Sequence, residues 1–485
     1  MGGRGAGEHG AVKHGGAICV WRERQEAVDK GGADGVEKDL EMARRIAGMA
    51  AERGGRVYFV GGFIRDGVMG RKSGDVDIEI HGMTADAVRA MLGEIGPWKK
   101  MGASFGVFGL RGYTLDIALP RRGGGKGEDA DIDPFMGERE AARRRDFTMN
   151  AMMQDVLTGE ILDEFGGRED IRNRIIRHVD DETFCRDPLR VLRAAQFAAR
   201  FDFAIAPETM EICRTLETDR LAKERVMGEI EKALMQSEKP SRFFEALRAM
   251  GRLEPWLAEA AALQGVKQRA DYHPEGDAWA HTMRVVDEAA KLRDRAEYPL
   301  GLMLAALLHD VGKADAMQEK DGVIHAYGHE TKGMPLAQNF IRRLTREKEL
   351  CRYVVSMVAL HMKPNLYAAQ NSRQRAWNAL FDQSIYPEDL MLLAKADHLG
   401  RENAAPYDET EQMIRARFER FREMMARPHV TGADLIARGV QPGEEMGRML
   451  EQAHRWRLAG MKKEEVMRQL ENAFRHNFVV PSLLT

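Results

Sequence analysis

Cysteine is scarce in this sequence, and its placement excludes two kinds of structure. Cys19, Cys185, Cys213 and Cys351 lie far apart in a chain of 485 residues, without the spacing of a disulfide framework or a zinc site. No apolar run approaches the length of a membrane-spanning helix, and the N-terminus lacks the apolar core of a signal peptide. These absences favour a reducing compartment, so we expect a cytoplasmic protein with no membrane partner.

An excess of positive charge is also missing. The formal net charge of −3 argues against a globally basic nucleic-acid binder, so any contact with RNA must use local basic patches. A hydrophobic content of 44% and a charged content of 31% are typical of globular proteins, and the length allows about three domains.

The most informative stretch begins with the apolar run from Val57 to Val60 and the pair Gly61-Gly62. Glycines allow backbone N–H groups to approach an anion closely, and Arg65 follows about one helical turn later. In the following Asp75-Val76-Asp77-Ile78-Glu79-Ile80, strand periodicity would put the acidic side chains on one face. Adjacent carboxylates predict a hard cation such as Mg²⁺. A phosphate cradle beside a Mg²⁺ site indicates transfer from a nucleoside triphosphate.

A third carboxylate for this site has two candidates. The runs from Gly106 to Leu110 and from Tyr113 to Leu119 predict paired strands, and Asp116 then faces away from the apolar side chains of its strand. Glu79 lies on the predicted face of Asp75 and Asp77. The pattern does not choose between them, and either could be an ordinary exposed acid.

In order and spacing, Gly61, Gly62, Arg65, Asp66, Asp75 and Asp77 resemble the first motif of the class II tRNA nucleotidyltransferase (CCA-adding enzyme) and bacterial poly(A) polymerase superfamily. Arg145-Asp146-Phe147-Thr148-Met149-Asn150 resembles its second motif, which implies that Arg145, Asp146 and Asn150 contact the sugar and phosphates of the nucleotide. Asp163-Glu164-Phe165-Gly166-Gly167 resembles its flexible-loop motif, with Glu164 in the place of a proline.

A later segment, from Arg186 to Arg193, predicts the start of a helix with Asp187 as its N-cap and Pro188 at its first position. Asp187 and Arg190 are neighbours on that helix and could offer an acceptor and a donor fork to one base edge. They resemble the family's protein template for C and A, although Arg186 replaces a glutamate, and Arg193 on the same face is expected to meet phosphate. The segment from Glu224 to Glu229 resembles a helix that braces the template helix.

A second site is predicted downstream, where histidines and acids recur in a fixed order. They are His281, His309, Asp310, His329, His361 and Asp397. Imidazole with carboxylate suits Mn²⁺, Ni²⁺ or Co²⁺, any of which would activate water against a phosphoester. The order resembles the HD phosphohydrolase superfamily, and a site that has lost its activity is the alternative.

Together these features predict an α+β fold, with a small nucleotidyltransferase (polymerase β-like) α/β head followed by all-α regions. The expected division is a Gly-rich disordered tail (1–37), a head (38–180), a helical neck that binds RNA (181–262), an HD domain (263–425) and a C-terminal tRNA-binding region (426–485).

The resemblance implies that the enzyme adds C and A to the 3′ end of tRNA from CTP and ATP and releases pyrophosphate. The alternatives are a poly(A) polymerase, an enzyme that adds only A, and an HD phosphohydrolase with an RNA-binding head. A homodimer is left open.

Overall fold

The computed structural model describes residues 35–101, 107–122, 132–269, 273–320, 323–427 and 429–474. The predicted disordered tail up to residue 34, residues 123–131 of the predicted basic loop and the last eleven positions, 475–485, lie outside the described residues. The chain divides into two compact units. The first unit contains the chain up to Ala233 together with Arg242–Pro255. The second unit contains Leu234–Ser241 and the chain from Trp256 onward. The finer division into five regions stays a prediction.

A seven-stranded mixed sheet forms the centre of the first unit, in the order β3-β4-β5-β2-β1-β6-β7. Only β2 and β5 pair in parallel, and every other neighbouring pair is antiparallel. The strands are β1 (Arg56–Val60), β2 (Asp77–His81), β3 (Trp98–Met101), β4 (Val107–Leu110), β5 (Asp116–Ala118), β6 (Met153–Asp155) and β7 (Ile161–Leu162). A separate parallel pair joins β8 (Ile175–Ile176) to β9 (Ala204–Ile205).

Alternation along β1 and β2 gives this sheet two different faces. Val57 and Phe59 of β1, with Ile78 of β2, pack into a large apolar core. Tyr58 and Val60 of β1 belong to a smaller core on the opposite side. Because side chains alternate along a strand, Asp77 and Glu79 point away from the large core. The acidic side chains of β2 therefore share one face, as the alternation in the sequence predicts.

Helices cover the sheet and continue beyond it. In chain order they are α1 (35–51), α2 (Gly62–Val68), α3 (Ala85–Ile95), α4 (Glu138–Arg143), a 3₁₀ turn (Thr148–Asn150), α5 (Gly167–Asn173), α6 (Asp181–Cys185), α7 (Leu189–Phe201), α8 (Pro207–Thr215), α9 (Lys223–Gln236) and α10 (Ser241–Met250). Thr84 caps α3 by accepting a hydrogen bond from the Ala87 N–H, as its position predicts.

Several boundaries differ from the sequence-based expectation: α1 begins at residue 35, inside the tail predicted up to residue 37, and β5 covers only Asp116–Ala118 of the run from Tyr113 to Leu119. The predicted strand from Asp75 to Ile80 begins only at Asp77, and ahead of it the Ser73 hydroxyl donates a hydrogen bond to the Asp75 carbonyl. Asp75 is exposed two residues ahead of Asp77, and the intervening Val76 is buried in the large core. Helix α7 begins at Leu189, one residue later than predicted, and Asp187 accepts a hydrogen bond from the Leu189 N–H.

The second unit is helical apart from one short hairpin. It contains α11 (Ala258–Ala261), α12 (Ala278–Leu292), a 3₁₀ turn (Arg293–Arg295), α13 (Pro299–Leu308), α14 (Lys313–Ala316), β10 (Gln318–Lys320), β11 (Val323–His325), α15 (His329–Leu344), α16 (Lys348–Leu360), α17 (Met362–Ala369), α18 (Gln374–Gln383), α19 (Pro387–Leu399), α20 (Asp408–Ala426), α21 (Gly432–Ile436), α22 (Glu444–Leu458) and α23 (Lys463–Ala473). Helix α13 is apolar on every side, and all its residues from Leu300 to Leu308 are buried.

The glycine pair that was expected to give loop mobility lies at the start of α5. Gly166 adopts φ 75°, and a Cβ on Gly167 would lie 2.3 Å from the Thr148 carbonyl oxygen. Asp163 accepts hydrogen bonds from the N–H groups of Gly167 and Arg168, at 2.7 and 2.9 Å. Gly167 is therefore required for close backbone packing.

We expect Gly167→Ala to lower the free energy of unfolding by about 1–3 kcal/mol, since its methyl group would overlap a backbone carbonyl. Denaturant titration of the purified protein measures the change. Gly93→Ala in α3 is the matched control, because nothing lies within 4 Å of its Cβ position, and it should change stability by less than about 1 kcal/mol. Equal stability of the two variants would contradict the assignment.

Candidate active site and metal centre

The turn between β1 and α2 brings a guanidinium and a carboxylate together around one glycine. Gly61 has φ 66°, a conformation that glycine adopts readily. A Cβ at Gly61 would lie 3.7 Å from Nη1 of Arg145 and 3.9 Å from Oδ2 of Asp77. The backbone therefore passes close to both charged groups, and this is the side of the sheet where the sequence predicts a triphosphate.

The carboxylates of Asp77 and Asp116 come from neighbouring parallel strands. Asp77 and Asp116 are direct partners in the β2–β5 register, as are Ile78 and Ile117. Because Ile78 and Ile117 both enter the large core, the two aspartates share the opposite face. An all-oxygen donor set of this kind fits a hard divalent ion. Within the described stretches, three potential ligand atoms lie within 4.8 Å of one another only in the second unit.

Glu79, the other candidate for the third carboxylate, has different partners. Its Oε1 lies 2.9 Å from Nε2 of His81, and its Oε2 accepts a 2.8 Å hydrogen bond from Nη2 of Arg145. Burial would raise the pKa of Glu79, but Arg145 and His81 hold it below its ordinary value. These contacts favour Asp116 over Glu79 as the third carboxylate, and the choice stays a prediction.

Five of the residues expected to bind nucleotide form one internal hydrogen-bond network. Arg65 donates from Nε to Asp66 and from Nη1 to Asn150, at 2.8 and 2.9 Å. Asn150 donates to Asp146 at 2.9 Å, and Arg193 donates to the other oxygen of Asp146 at 2.7 Å.

Arg65 is only 5% exposed, and its guanidinium lies over the ring of Phe201. Burial lowers the pKa of Arg65. The expectation that Arg65 reaches the triphosphate stays a prediction, and its contacts favour a role in positioning the network.

The expected base-selecting pair has partners outside the pair. Asp187 accepts two hydrogen bonds from Arg225, at 3.2 Å from Nη1 and 2.7 Å from Nη2. Arg190 donates from Nη1 to the Thr183 carbonyl and from Nη2 to the Arg144 carbonyl, at 2.8 and 2.7 Å. If both residues read a base edge, they must do so with the donors and acceptors that these contacts leave free, or exchange a partner.

The bracing helix expected from the sequence is α9, which forms ion pairs with α7 and with Asp187 just ahead of it. Besides the pair of Arg225 with Asp187, Nη1 of Arg193 lies 3.9 Å from Oε1 of the buried Glu229. The Glu182–Arg186 ion pair, at 2.5 Å, occupies the position where the sequence departs from the family pattern.

The six predicted HD residues converge in the interior of the second unit. His281, His309, Asp310, His329, His361 and Asp397 are all buried. The two oxygens of Asp310 face different histidines. Its Oδ2 lies 3.1 Å from Nε2 of His309, and its Oδ1 lies 3.2 Å from Nε2 of His329. Asp397 Oδ1 lies 3.1 Å from Nε2 of His281.

Two trios that share Asp310 could therefore each hold an ion, one with His281 and His309 and the other with His329 and His361.

Each histidine presents Nε2 to this centre because its Nδ1 is engaged elsewhere. The Nδ1 atoms of His309, His329 and His361 contact the carbonyls of Ala306, Ala326 and Val358, at 2.7–2.9 Å. Such outer contacts fix the ring orientation for metal binding. His309 Nε2 and Asp310 Oδ2 are both buried, and although they lie 3.1 Å apart they do not meet hydrogen-bond geometry. A buried donor set with an unsatisfied nitrogen fits a divalent transition metal.

Charges around the centre keep the carboxylates ionised. Burial would raise the pKa of Asp310, but His309 and Lys313 hold it well below its usual range. His281 has a raised pKa despite burial, because Asp397 and Glu275 bond its ring. Glu275 was missed in the sequence because it precedes the helix that carries His281, yet it contacts His281 Nδ1 at 2.8 Å. Metal binding should therefore release protons from this cluster.

Comparison with known proteins finds related families along both units of the chain. Sequence models of the families described as Poly A polymerase head domain, probable RNA and SrmB-binding site of polymerase A, and HD domain match residues 57–177, 202–263 and 278–402. The multifunctional CCA protein of Burkholderia cenocepacia (strain HI2424) is 36% identical over 425 residues, which cover 83% of this chain and 97% of that protein.

Solved structures share the fold. A CCA-adding enzyme in complex with CTP has a TM-score of 0.62 at 18% identity, covering 90% of this chain and 95% of that one. The Thermotoga maritima CCA-adding enzyme complexed with tRNA has a TM-score of 0.60 at 18% identity, with the same coverage. The described helices include none that is both long and apolar enough to cross a bilayer.

These findings define a nucleotidyltransferase with a polymerase-type head and an HD domain, which confirms the predicted α+β fold. The chain belongs to the family of multifunctional CCA proteins.

We expect Ni²⁺, Mn²⁺ or Co²⁺ to stabilise the folded protein by about 2.7 kcal/mol at a hundredfold excess over Kd. Its melting temperature should rise accordingly. His309→Ala should reduce this metal-induced shift, since it removes a buried ligand from one of the two trios. Differential scanning calorimetry with and without metal separates the shift from the variant's own loss of stability. His454→Ala, on a half-exposed histidine bonded to Asp382, should keep the full shift. A normal shift in His309→Ala would contradict the assignment.

Proposed function

We propose that this chain adds C and A residues to the 3′ end of tRNA, using CTP and ATP and releasing pyrophosphate. The observation that carries the proposal is the alignment of Asp77 with Asp116 on one sheet face, beside Gly61 and Arg145. The name of the curated relative and the titles of the similar structures with CTP, ATP and tRNA support it.

In this proposal Asp77 and Asp116, with the exposed Asp75, hold Mg²⁺, which when bound polarises the attacking hydroxyl and offsets charge on the phosphates. Residues of the chain bind and position the triphosphate. Gly61 and Gly62 leave room for the triphosphate against the backbone, and the Arg145 guanidinium faces that space. Glu79 keeps the guanidinium there through its 2.8 Å hydrogen bond.

Base choice is assigned to Asp187 and Arg190 at the start of α7. Arg225 bonds the Asp187 carboxylate, and Arg190 donates to the carbonyls of Thr183 and Arg144. A base edge with a suitable donor would replace Arg225 as the partner of Asp187. The buried network around Asp146 then keeps α7 fixed to the head while this exchange occurs.

The HD centre is proposed to hydrolyse phosphoesters with a bound transition metal such as Mn²⁺, Ni²⁺ or Co²⁺, which when bound would lower the pKa of water. Its ligands are distinct from those of the head, so the two activities need no shared residue. We propose tRNA as the partner and the cytoplasm as the location, and the homodimer stays a prediction.

Two alternatives are less well supported. A poly(A) polymerase or an A-only enzyme would share the head, but the curated relatives are named multifunctional CCA proteins. A hydrolase with a head that only binds RNA would have no need for the aligned pair of Asp77 and Asp116.

We expect Asp77→Asn and Asp116→Asn each to reduce nucleotide incorporation about 100-fold or more, because each removes a metal-binding charge without changing side-chain size. Incorporation of labelled CTP into tRNA that lacks its 3′ end measures the loss. Glu79→Gln should act mainly on KM for the triphosphate, through Arg145. Asp86→Asn, on an exposed acid of α3, is the control and should be neutral. Normal incorporation by Asp116→Asn would exclude it from the site.

We expect Arg190→Ala to weaken discrimination of CTP and ATP against GTP and UTP, by about 1–3 kcal/mol by analogy with base-edge readout. Single-nucleotide incorporation with each of the four triphosphates measures it as a ratio of kcat/KM values. Arg186→Ala is the control, since Arg186 bonds only the exposed Glu182 among the contacts described. Full selectivity in Arg190→Ala would contradict a role in base selection. Asp187 and Arg190 would then only stabilise the start of the helix.

A further inference from the structure

Three polar side chains lie in a row on one face of β2. Asp77, Glu79 and His81 alternate along the strand with two isoleucines that pack into the large core. Asp77 belongs to the proposed Mg²⁺ site, whereas Glu79 and His81 are only 7% and 4% exposed. Because the His81 ring is buried, its two nitrogens must find their hydrogen-bond partners inside the protein.

Both ring nitrogens of His81 face acceptors. Nε2 lies 2.9 Å from Oε1 of Glu79, and Nδ1 lies 3.2 Å from the carbonyl oxygen of Met136. Although burial raises the pKa of Glu79, Arg145 and His81 hold it below its ordinary value, so the side chain is a carboxylate and can only accept. A backbone carbonyl also only accepts. The ring therefore satisfies both contacts by donating from both nitrogens.

The surroundings of His81 hold its ring in place. The N–H of the next residue, Gly82, donates a 2.7 Å hydrogen bond to the Pro134 carbonyl, which fixes the segment that carries the second acceptor against the end of β2. The Tyr58 ring packs edge-on against the imidazole, with 5.3 Å between the ring centroids. The imidazole is therefore a fixed donor at the inner end of the row.

We infer that His81 is a positioning residue for the triphosphate, because it fixes one oxygen of Glu79 and so directs the other oxygen to Arg145. Oε2 of Glu79 accepts a 2.8 Å hydrogen bond from Nη2 of Arg145. A Cβ at Gly61 would lie 3.7 Å from Nη1 of the same guanidinium. One guanidinium nitrogen is thus held by the carboxylate while another lies at the glycine turn. The inference rests on the proposed binding of the triphosphate at that turn.

Loss of the imidazole donor would change the geometry of this pair. One buried oxygen of Glu79 would lose its partner, which is costly in the interior. Arg145 would then be the donor nearest to both oxygens, and a guanidinium pairs readily with a carboxylate through two nitrogens. Such pairing would draw the second nitrogen away from Gly61. The result is weaker binding of the triphosphate, with the carboxylates of the Mg²⁺ site unchanged.

Two amide substitutions at His81 separate its two contacts. Because glutamine is one methylene longer than asparagine, its amide nitrogen reaches the position of Nε2, whereas that of asparagine reaches only the position of Nδ1. We expect His81→Asn to raise KM for CTP about tenfold with kcat changed less than about twofold, and His81→Gln to keep KM within about threefold of wild type. Incorporation of labelled CTP into tRNA that lacks its 3′ end measures both constants. Equal KM values for the two variants would overturn the inference.

Tyr58→Phe is the matched control. It removes the 2.8 Å hydrogen bond from the Tyr58 hydroxyl to Glu138 and keeps an aromatic ring against His81. Its KM for CTP should equal that of the wild type, since the removed bond lies outside the path from His81 to Arg145. A rise in KM equal to that of His81→Asn would show that any disturbance of this core has the same effect, and would overturn the inference.

A double variant distinguishes this inference from the proposed function. Arg145→Met should raise KM for CTP, and adding His81→Asn should raise it no further, because both changes act on the same contact. An unchanged KM in Arg145→Met would reject the proposed triphosphate site and the inference with it. Additive effects of the two changes would reject the role of His81 and leave the proposed site intact.

Nitrogen-15 spectra of protein labelled at histidine test the contact itself with His81 unchanged, so this test does not depend on the folding of a variant at that position. The signal of His81 is the one that Glu79→Gln shifts, since Glu79 is its hydrogen-bond partner. In the wild type its Nε2 should carry a proton. A ring that carries its proton on Nδ1 alone would overturn the inference.

Discussion

The parallel pairing of β2 with β5 is the contact on which the head site depends. It is the one parallel pair in an otherwise antiparallel sheet, and it places Asp77 opposite Asp116. A shift of one residue in this register would send one of the aspartates into the apolar core, where Ile78 and Ile117 now lie. The large core thus fixes the register, and the register fixes the carboxylates. Arg145 and Asp77 both lie close to Gly61, in the turn between β1 and α2.

The HD centre is arranged around a single carboxylate, that of Asp310. Asp310 is buried and presents one oxygen to each of two groups of histidines. An isolated buried carboxylate would be strongly unfavourable, and here Lys313 and the surrounding imidazoles compensate it. The head offers oxygen donors and the HD centre offers nitrogen with oxygen, so the two sites are suited to different ions.

Local patterns were enough for those parts of the structure that depend on neighbouring residues. The alternation in β2 follows the period predicted from the sequence, and the cap at Thr84 and the apolar helix α13 also depend only on residues close in the chain. The resemblance to known families supplied the list of site residues. What the sequence could not supply was their partners. Arg225 is 38 positions from Asp187, and Arg65 is 85 positions from Asn150. Such pairings arise only when helices pack, and they turn residues expected to be open to ligand into members of buried networks.

The central claim is that the head adds C and A to tRNA in a defined order without a nucleic-acid template. The most direct measurement uses three tRNA substrates, ending at the discriminator base, at C and at CC, with CTP or ATP supplied separately. The account predicts CTP incorporation on the first two substrates and ATP incorporation only on the third, each stopping at its natural end. Incorporation of ATP alone, or a long tract of A on any substrate, would contradict it.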